Sequence, residues 1–155
     1  MLVELLSAKR ILVGVTPKDK LALLSAIADA FAADDSALSP STVLKVLEDR
    51  ERLASTGAGS GVAIPHGRLP TLQEMRAVLV VIPGGVDFDA IDGDPVTLAV
   101  AILAPLDQPS AHLKALARVS RTVRDERVRS LLLASASAEA ALAVLQDHAA
   151  RSEER

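Results

Sequence analysis

Ser55-Thr56-Gly57-Ala58-Gly59-Ser60-Gly61-Val62-Ala63-Ile64-Pro65-His66-Gly67-Arg68 joins a glycine-rich segment, a short apolar strand and a histidine set between proline and glycine. Its alternating glycines look at first like a nucleotide loop. A P-loop, however, needs a lysine after its glycines, and a dinucleotide fingerprint needs strand, glycine loop and helix in that order. Here the element before the glycines reads as a helix, and the loop leads to an apolar strand and Pro65-His66. The nucleotide reading is weak. What the segment does supply is an imidazole held at the surface on a rigid turn. Pro65 fixes the approach, and Gly67 lets the backbone turn sharply and leaves the ring accessible. If a backbone carbonyl holds one ring nitrogen, the other is a neutral nucleophile near physiological pH. N–H groups of the loop around Ser55, Thr56, Gly57, Gly59 and Gly67 are expected to nest phosphate oxygens. A lone histidine is more often structural or simply exposed, and His148 is read that way. For His66 the context favours a phosphoryl acceptor.

A phosphohistidine site also needs donors or cations that disperse charge as the phosphoryl group moves. Arg50 and Arg52 end the helix that enters the loop, and Arg68 follows His66. Both helix-end arginines also fit a solvated C-terminal cap that complements the helix dipole. His112 falls in the expected first turn of a later helix, where the dipole lowers a histidine pKa and favours an adjacent anion. A neutral His112 can donate one hydrogen bond to a phosphate on His66; the competing reading is a half-buried surface histidine. Neither histidine has carboxylate or thiol partners at metal-ligand spacing, so no metal is expected. Asp87, Asp89, Asp92 and Asp94 read as turn formers.

The remaining sequence builds outward from this site. The helix before it starts at Ser39-Pro40 or Pro40-Ser41 and ends near Arg52, with Val43, Leu44, Val46 and Leu47 inward. Upstream, residues 2–6 and 11–15 read as a helical turn and a strand. Thr16-Pro17 then looks like the cap of a helix to about residue 33, with Leu21, Leu24, Ile27, Ala28 and Phe31 on one face. Downstream, 77–82 reads as a strand, Pro83-Gly84-Gly85 as a turn, and 86–88 as a hairpin extension. Asp92-Gly93-Asp94-Pro95 turns the chain into a buried strand over 96–103. A third helix follows Asp107-Gln108-Pro109 and sets Leu113, Leu116, Val119 and Val123 on adjoining positions; 125–133 and 138–146 are also helical. The charged stretch 149–155 is expected to fray. One α/β domain over 1–148 results, a mixed β-sheet flanked by helices. Its strand order is not readable from local pattern.

Composition narrows the function. Half of the 155 residues are apolar, but only Phe31 and Phe88 are aromatic, which argues against base-stacking platforms. A net charge of −3, from 17 basic and 20 acidic side chains, gives no general attraction to nucleic acid. The absence of cysteine excludes disulfides and thiolate metal sites. The longest apolar run, 98–105, is far short of the roughly 20 residues that span a bilayer. A cytoplasmic protein is expected, with no membrane insertion.

Taken as a set, these residues resemble enzyme IIA of the fructose/mannitol class (type 2) of the bacterial phosphotransferase system, most of all its nitrogen-regulatory branch. The glycine-rich segment through Arg68 carries the signature. Arg50-Glu51-Arg52 is similar to the family's Arg-Glu pair, and Phe88-Asp89-Ala90-Ile91-Asp92-Gly93, Pro95-Val96 and Ala111-His112-Leu113 to its later blocks. The resemblance implies that His66 is phosphorylated on Nε2 by an HPr-type phosphocarrier, with His112 and Arg50 stabilising the phosphoryl group and no cofactor. It implies either regulation of targets such as potassium-transport or sensor-kinase components, or delivery of phosphate to a IIB component during sugar uptake. A binding module that keeps the fold without using the chemistry is the third reading. Ala58 and Ser60 stand where larger or amide side chains are frequent, and Ala58, Arg68 and Lys114 are the candidate partner surface.

Overall fold

Two long strands form the centre of the sheet, β5 (Arg76–Val86) and β6 (Val96–Pro105). They pair antiparallel, with Ala77 opposite Ile102, Leu79 opposite Val100 and Val81 opposite Leu98. Both are near-continuous runs of Val, Leu, Ile and Ala, the pattern of strands covered on both faces. Successive side chains point to opposite faces, which sorts the core into two layers. Val78, Val80, Ile82, Ala99, Ala101 and Leu103 pack with Leu23, Ile27, Phe31, Val43 and Leu47 of α1 (Lys20–Ala33) and α2 (Pro40–Leu53). Ala77, Leu79, Val81, Leu98, Val100 and Ile102 pack with α3 (Pro109–Arg124), α4 (Glu126–Leu133) and α5 (Ala138–Glu153). The computed structural model describes residues 2–154; Met1 and Arg155, the ends of the expected domain and tail, lie outside the described residues.

The sheet is mixed and flanked by helices, as expected. Its order is β1 (Ile11–Val13), β5, β6, β3 (Val62–Ala63) and β2 (Gly57–Gly59), with β4 (His66–Leu69) also on β6. β1 runs parallel to β5, and β2 antiparallel to β3. β3 and β4 lie end to end along one edge of β6, both parallel to it. Pro65 makes the break between them, because it has no N–H to offer a ladder. Its carbonyl still accepts from the Ile102 N–H at 2.9 Å.

Several local expectations shift. α1 starts at Lys20 rather than at Thr16-Pro17, because extended Asp19 caps it by accepting from the Ala22 N–H at 2.8 Å. That phase turns Leu21 outward and buries Leu23 instead. Pro83-Gly84-Gly85 is not a turn but a bulge within β5: Gly85 takes φ +72°, the register shifts, and Val86 still pairs with Val96. The chain reverses between Val86 and Val96. β1 stops at Val13, where Gly14 takes φ +77°. Leu113 points outward from α3, and α5 continues helical to Glu153 through most of the stretch expected to fray. Among the described residues, no helix is long and apolar enough to cross a membrane.

Candidate functional site

The interruption at Pro65 decides where the imidazole goes. His66 is not on a turn; it is the first residue of β4, opposite Ile102. Its Nδ1 lies 2.8 Å from the Ile64 carbonyl oxygen. A carbonyl only accepts, so Nδ1 carries the ring proton and Nε2 the lone pair. Arg50, in the last turn of α2, donates its Nε–H to that lone pair at 3.2 Å and an Nη1–H to the Ala54 carbonyl at 2.9 Å. Burial holds the His66 pKa below its ordinary value; the Arg50 charge adds to this, while the Ile64 carbonyl and Glu51 pull the other way. The result is a neutral ring near neutral pH, with its nucleophilic nitrogen toward a guanidinium.

His112, from the first turns of α3, meets the His66 ring edge to face, with centroids 5.5 Å apart and planes at 74°. It is not half-buried but 7% exposed. Burial first, then repulsion from the Arg68 charge and from the His66 ring once it too is protonated, push its pKa down to about 4. Its Nε2 is buried and has no hydrogen-bond partner among the described residues. Leaving such a group unsatisfied costs about 1–3 kcal/mol.

The glycine-rich segment differs from the nest expected of it. It forms the hairpin β2–β3, turned by Gly59, Ser60 and Gly61 at φ +86°, +58° and +79°. Internal acceptors already take three of its N–H groups: Thr56 donates to the Glu51 carboxylate, Gly57 to Ser55 Oγ at 3.0 Å, and Ser60 to Asp92 at 2.9 Å. Ser55 Oγ in turn donates to the Phe88 carbonyl at 3.1 Å. Ser55, Thr56, Gly57 and Ala58 line the cleft beside His66 and Arg50. Gly59 instead faces Asp92. Gly67 has no left-handed φ; it is small because α2 crosses it, and a Cβ there would lie 2.3 Å from Val46 Cγ1.

Around His66 and His112 opens a cleft of about 610 Å³ whose lining includes Arg50, Gly67 and Arg68. Lys114 is exposed on α3 and does not line it, and Arg52 is spent on surface pairs with Glu48 and Asp49. Three leucines on its rim stay in solvent: Leu53 at 81%, Leu113 at 70% and Leu106 at 52% exposed. The sequence pattern groups Leu113 with Leu116, Val119 and Val123 and does not show this apolar rim, and it does not say that the carbonyl holding the ring is that of Ile64. Glu51 had a usable signal: it continues the buried spacing Val43, Leu47 yet carries a charge. Among the described residues, no group of three His, Cys, Asp or Glu is placed to hold a metal ion.

Residues 4–148 match the family described as "Phosphoenolpyruvate-dependent sugar phosphotransferase system, EIIA 2", and the chain belongs to that family. Within it, the chain is 38% identical over 142 residues to a "Nitrogen regulatory protein" of Bradyrhizobium diazoefficiens, covering 92% of each. It is similar in fold to the nitrogen regulatory protein IIA-Ntr of Neisseria meningitidis, known from a crystal structure. There the TM-score is 0.86 at 32% identity, over 92% of this chain and 97% of that one. A "PTS system fructose-specific EIIA component" of Haloferax volcanii is 34% identical over 125 residues, 81% of this chain and 79% of the relative.

Proposed function

We propose that this phosphotransferase component accepts a phosphoryl group on His66 Nε2 from an HPr-type phosphocarrier in the cytoplasm. The carrying observation is the fixed tautomer, Nδ1–H on the Ile64 carbonyl and a lone pair at Nε2. In the transfer, the Nε2 lone pair forms the new N–P bond as the donor's N–P bond breaks. The leaving electron pair returns to the donor imidazole. Arg50 yields the lone pair and turns its N–H groups to the phosphoryl oxygens, where developing charge is greatest. His112 Nε2, neutral and unpartnered, carries a proton in the role proposed for it and donates to the same oxygens. The leucine rim supports docking of a protein donor, since exposed apolar groups around a polar centre suit a protein interface.

The phosphorylation state then serves as a signal to regulatory targets, such as potassium-transport or sensor-kinase components; two relatives named for nitrogen regulation support this branch. The fructose-specific relative favours the second reading, delivery to a IIB component during sugar uptake. Purified protein is incubated with enzyme I, phosphocarrier and phosphoenolpyruvate. Acid-labile, base-stable phosphate is expected on the wild type. No label, under conditions that label a control IIA, overturns the acceptor reading and leaves a binding module. Passage of the label to a cognate IIB component decides for the sugar branch.

A further inference from the structure

Glu51 is a carboxylate, 8% exposed, on the buried stripe of α2. Burying an ion costs several kcal/mol unless its oxygens are fully bonded. Here they are. They accept the Thr56 N–H at 2.9 and 3.0 Å, the Thr56 Oγ1–H at 2.5 Å and the Lys20 ammonium at 2.7 Å. Lys20, from the first turn of α1, also stands 4.8 Å over the Phe88 ring and 3.8 Å from Asp89. Burial alone would raise the Glu51 carboxyl, but bonds from Lys20, Thr56 and Ser55 hold it below the usual carboxylate value.

None of these contacts touches His66, yet two paths lead there. Along the chain, Glu51 is followed backward by Arg50, whose Nε–H meets Nε2. Consecutive helical residues point about 100° apart, so an inward Glu51 fixes Arg50 toward the cleft. Through space, the Thr56 carbonyl accepts the Ile64 N–H at 3.0 Å, and the Ile64 carbonyl holds Nδ1 at 2.8 Å. The paths close a ring around the imidazole. We propose that Glu51, with Lys20 as its counter-ion, is the positioning residue for the acceptor histidine, holding the partners of both ring nitrogens at once. This rests on the reading of His66 as acceptor.

The test combines ¹⁵N NMR of the unphosphorylated His66 ring with single-turnover transfer from phosphorylated carrier. In Glu51→Gln the neutral ring is expected to lose its pure Nδ1–H signature and show both tautomers. The maximal transfer rate is expected to fall about tenfold to a hundredfold, the scale of small misplacements of reacting groups. The carrier concentration for half-maximal rate stays unchanged. A folded Glu51→Gln with the wild-type ring signature and maximal rate overturns the proposal, even if its melting temperature drops. Should Glu51→Gln fail to fold, Lys20→Met decides. A smaller change in the same two readouts supports the proposal, and wild-type values in both overturn it. Absence of phosphate uptake by the wild type would defeat the acceptor reading, while the ring signature still tests Glu51.

Discussion

His66 is set by two hydrogen bonds, and its chemistry depends on their direction. With the proton fixed on Nδ1, Arg50 is the nearest group able to receive charge from the phosphoryl oxygens. Arg50→Ala is expected to slow single-turnover transfer by about 10²–10³, the loss seen when one preorganised donor is removed. His112→Ala is expected to slow transfer without abolishing labelling; unchanged kinetics would return His112 to a merely buried ring. His112 also makes stability depend on pH. Its folded pKa, about 4, is depressed below the ordinary 6.5, so the unfolded chain binds the proton first as pH falls. That contribution is fully present above pH 6.5 and is lost on descent toward about 4. Urea titrations of wild type and His112→Gln across that window check this, the variant lacking that part of the slope. At this scale the sequence showed the histidines and the arginine, since side chains carry identity. It did not say which carbonyl holds Nδ1, and it overstated the loop's free N–H groups, because backbone partners leave no residue-specific mark.

Elements position these residues through close approaches that pattern alone conceals. The core strands were readable, because Val, Ile and Leu alternate between two buried faces. Pro83-Gly84-Gly85 reads as a turn because proline and glycine punctuate turns and bulges alike; only the pairing of Val86 with Val96 separates them. The sequence suggests backbone freedom at Gly67, whereas its role in the fold is to admit α2. Gly67→Ala is therefore expected to cost about 1–3 kcal/mol through overpacking. The double variant with Val46→Ala should recover much of it, because the clash is with Val46 Cγ1. Chemical denaturation of both variants measures this, and additive losses would show that the crossing is not the cause.

For the whole molecule, the strand order was beyond sequence reading, because β3 and β4 are 2 and 4 residues long and join β6 over a long chain separation. The fold brings the ends of α2, β4 and α3 to one cleft and leaves leucines around it. If that rim receives the phosphocarrier, Leu113→Asp should raise the carrier concentration for half-maximal transfer about tenfold or more, as loss of a central apolar contact does. Its maximal rate should be spared. An unchanged concentration dependence would move the docking face elsewhere. The central claim, that His66 receives phosphate on the nitrogen opposite its carbonyl-bound one, is open to a single measurement: ³¹P–¹⁵N NMR of the phosphorylated protein. The expected result is one phosphohistidine, at residue 66, with phosphorus on Nε2 and the proton retained on Nδ1. Phosphorus on Nδ1, or on any other residue, would contradict it.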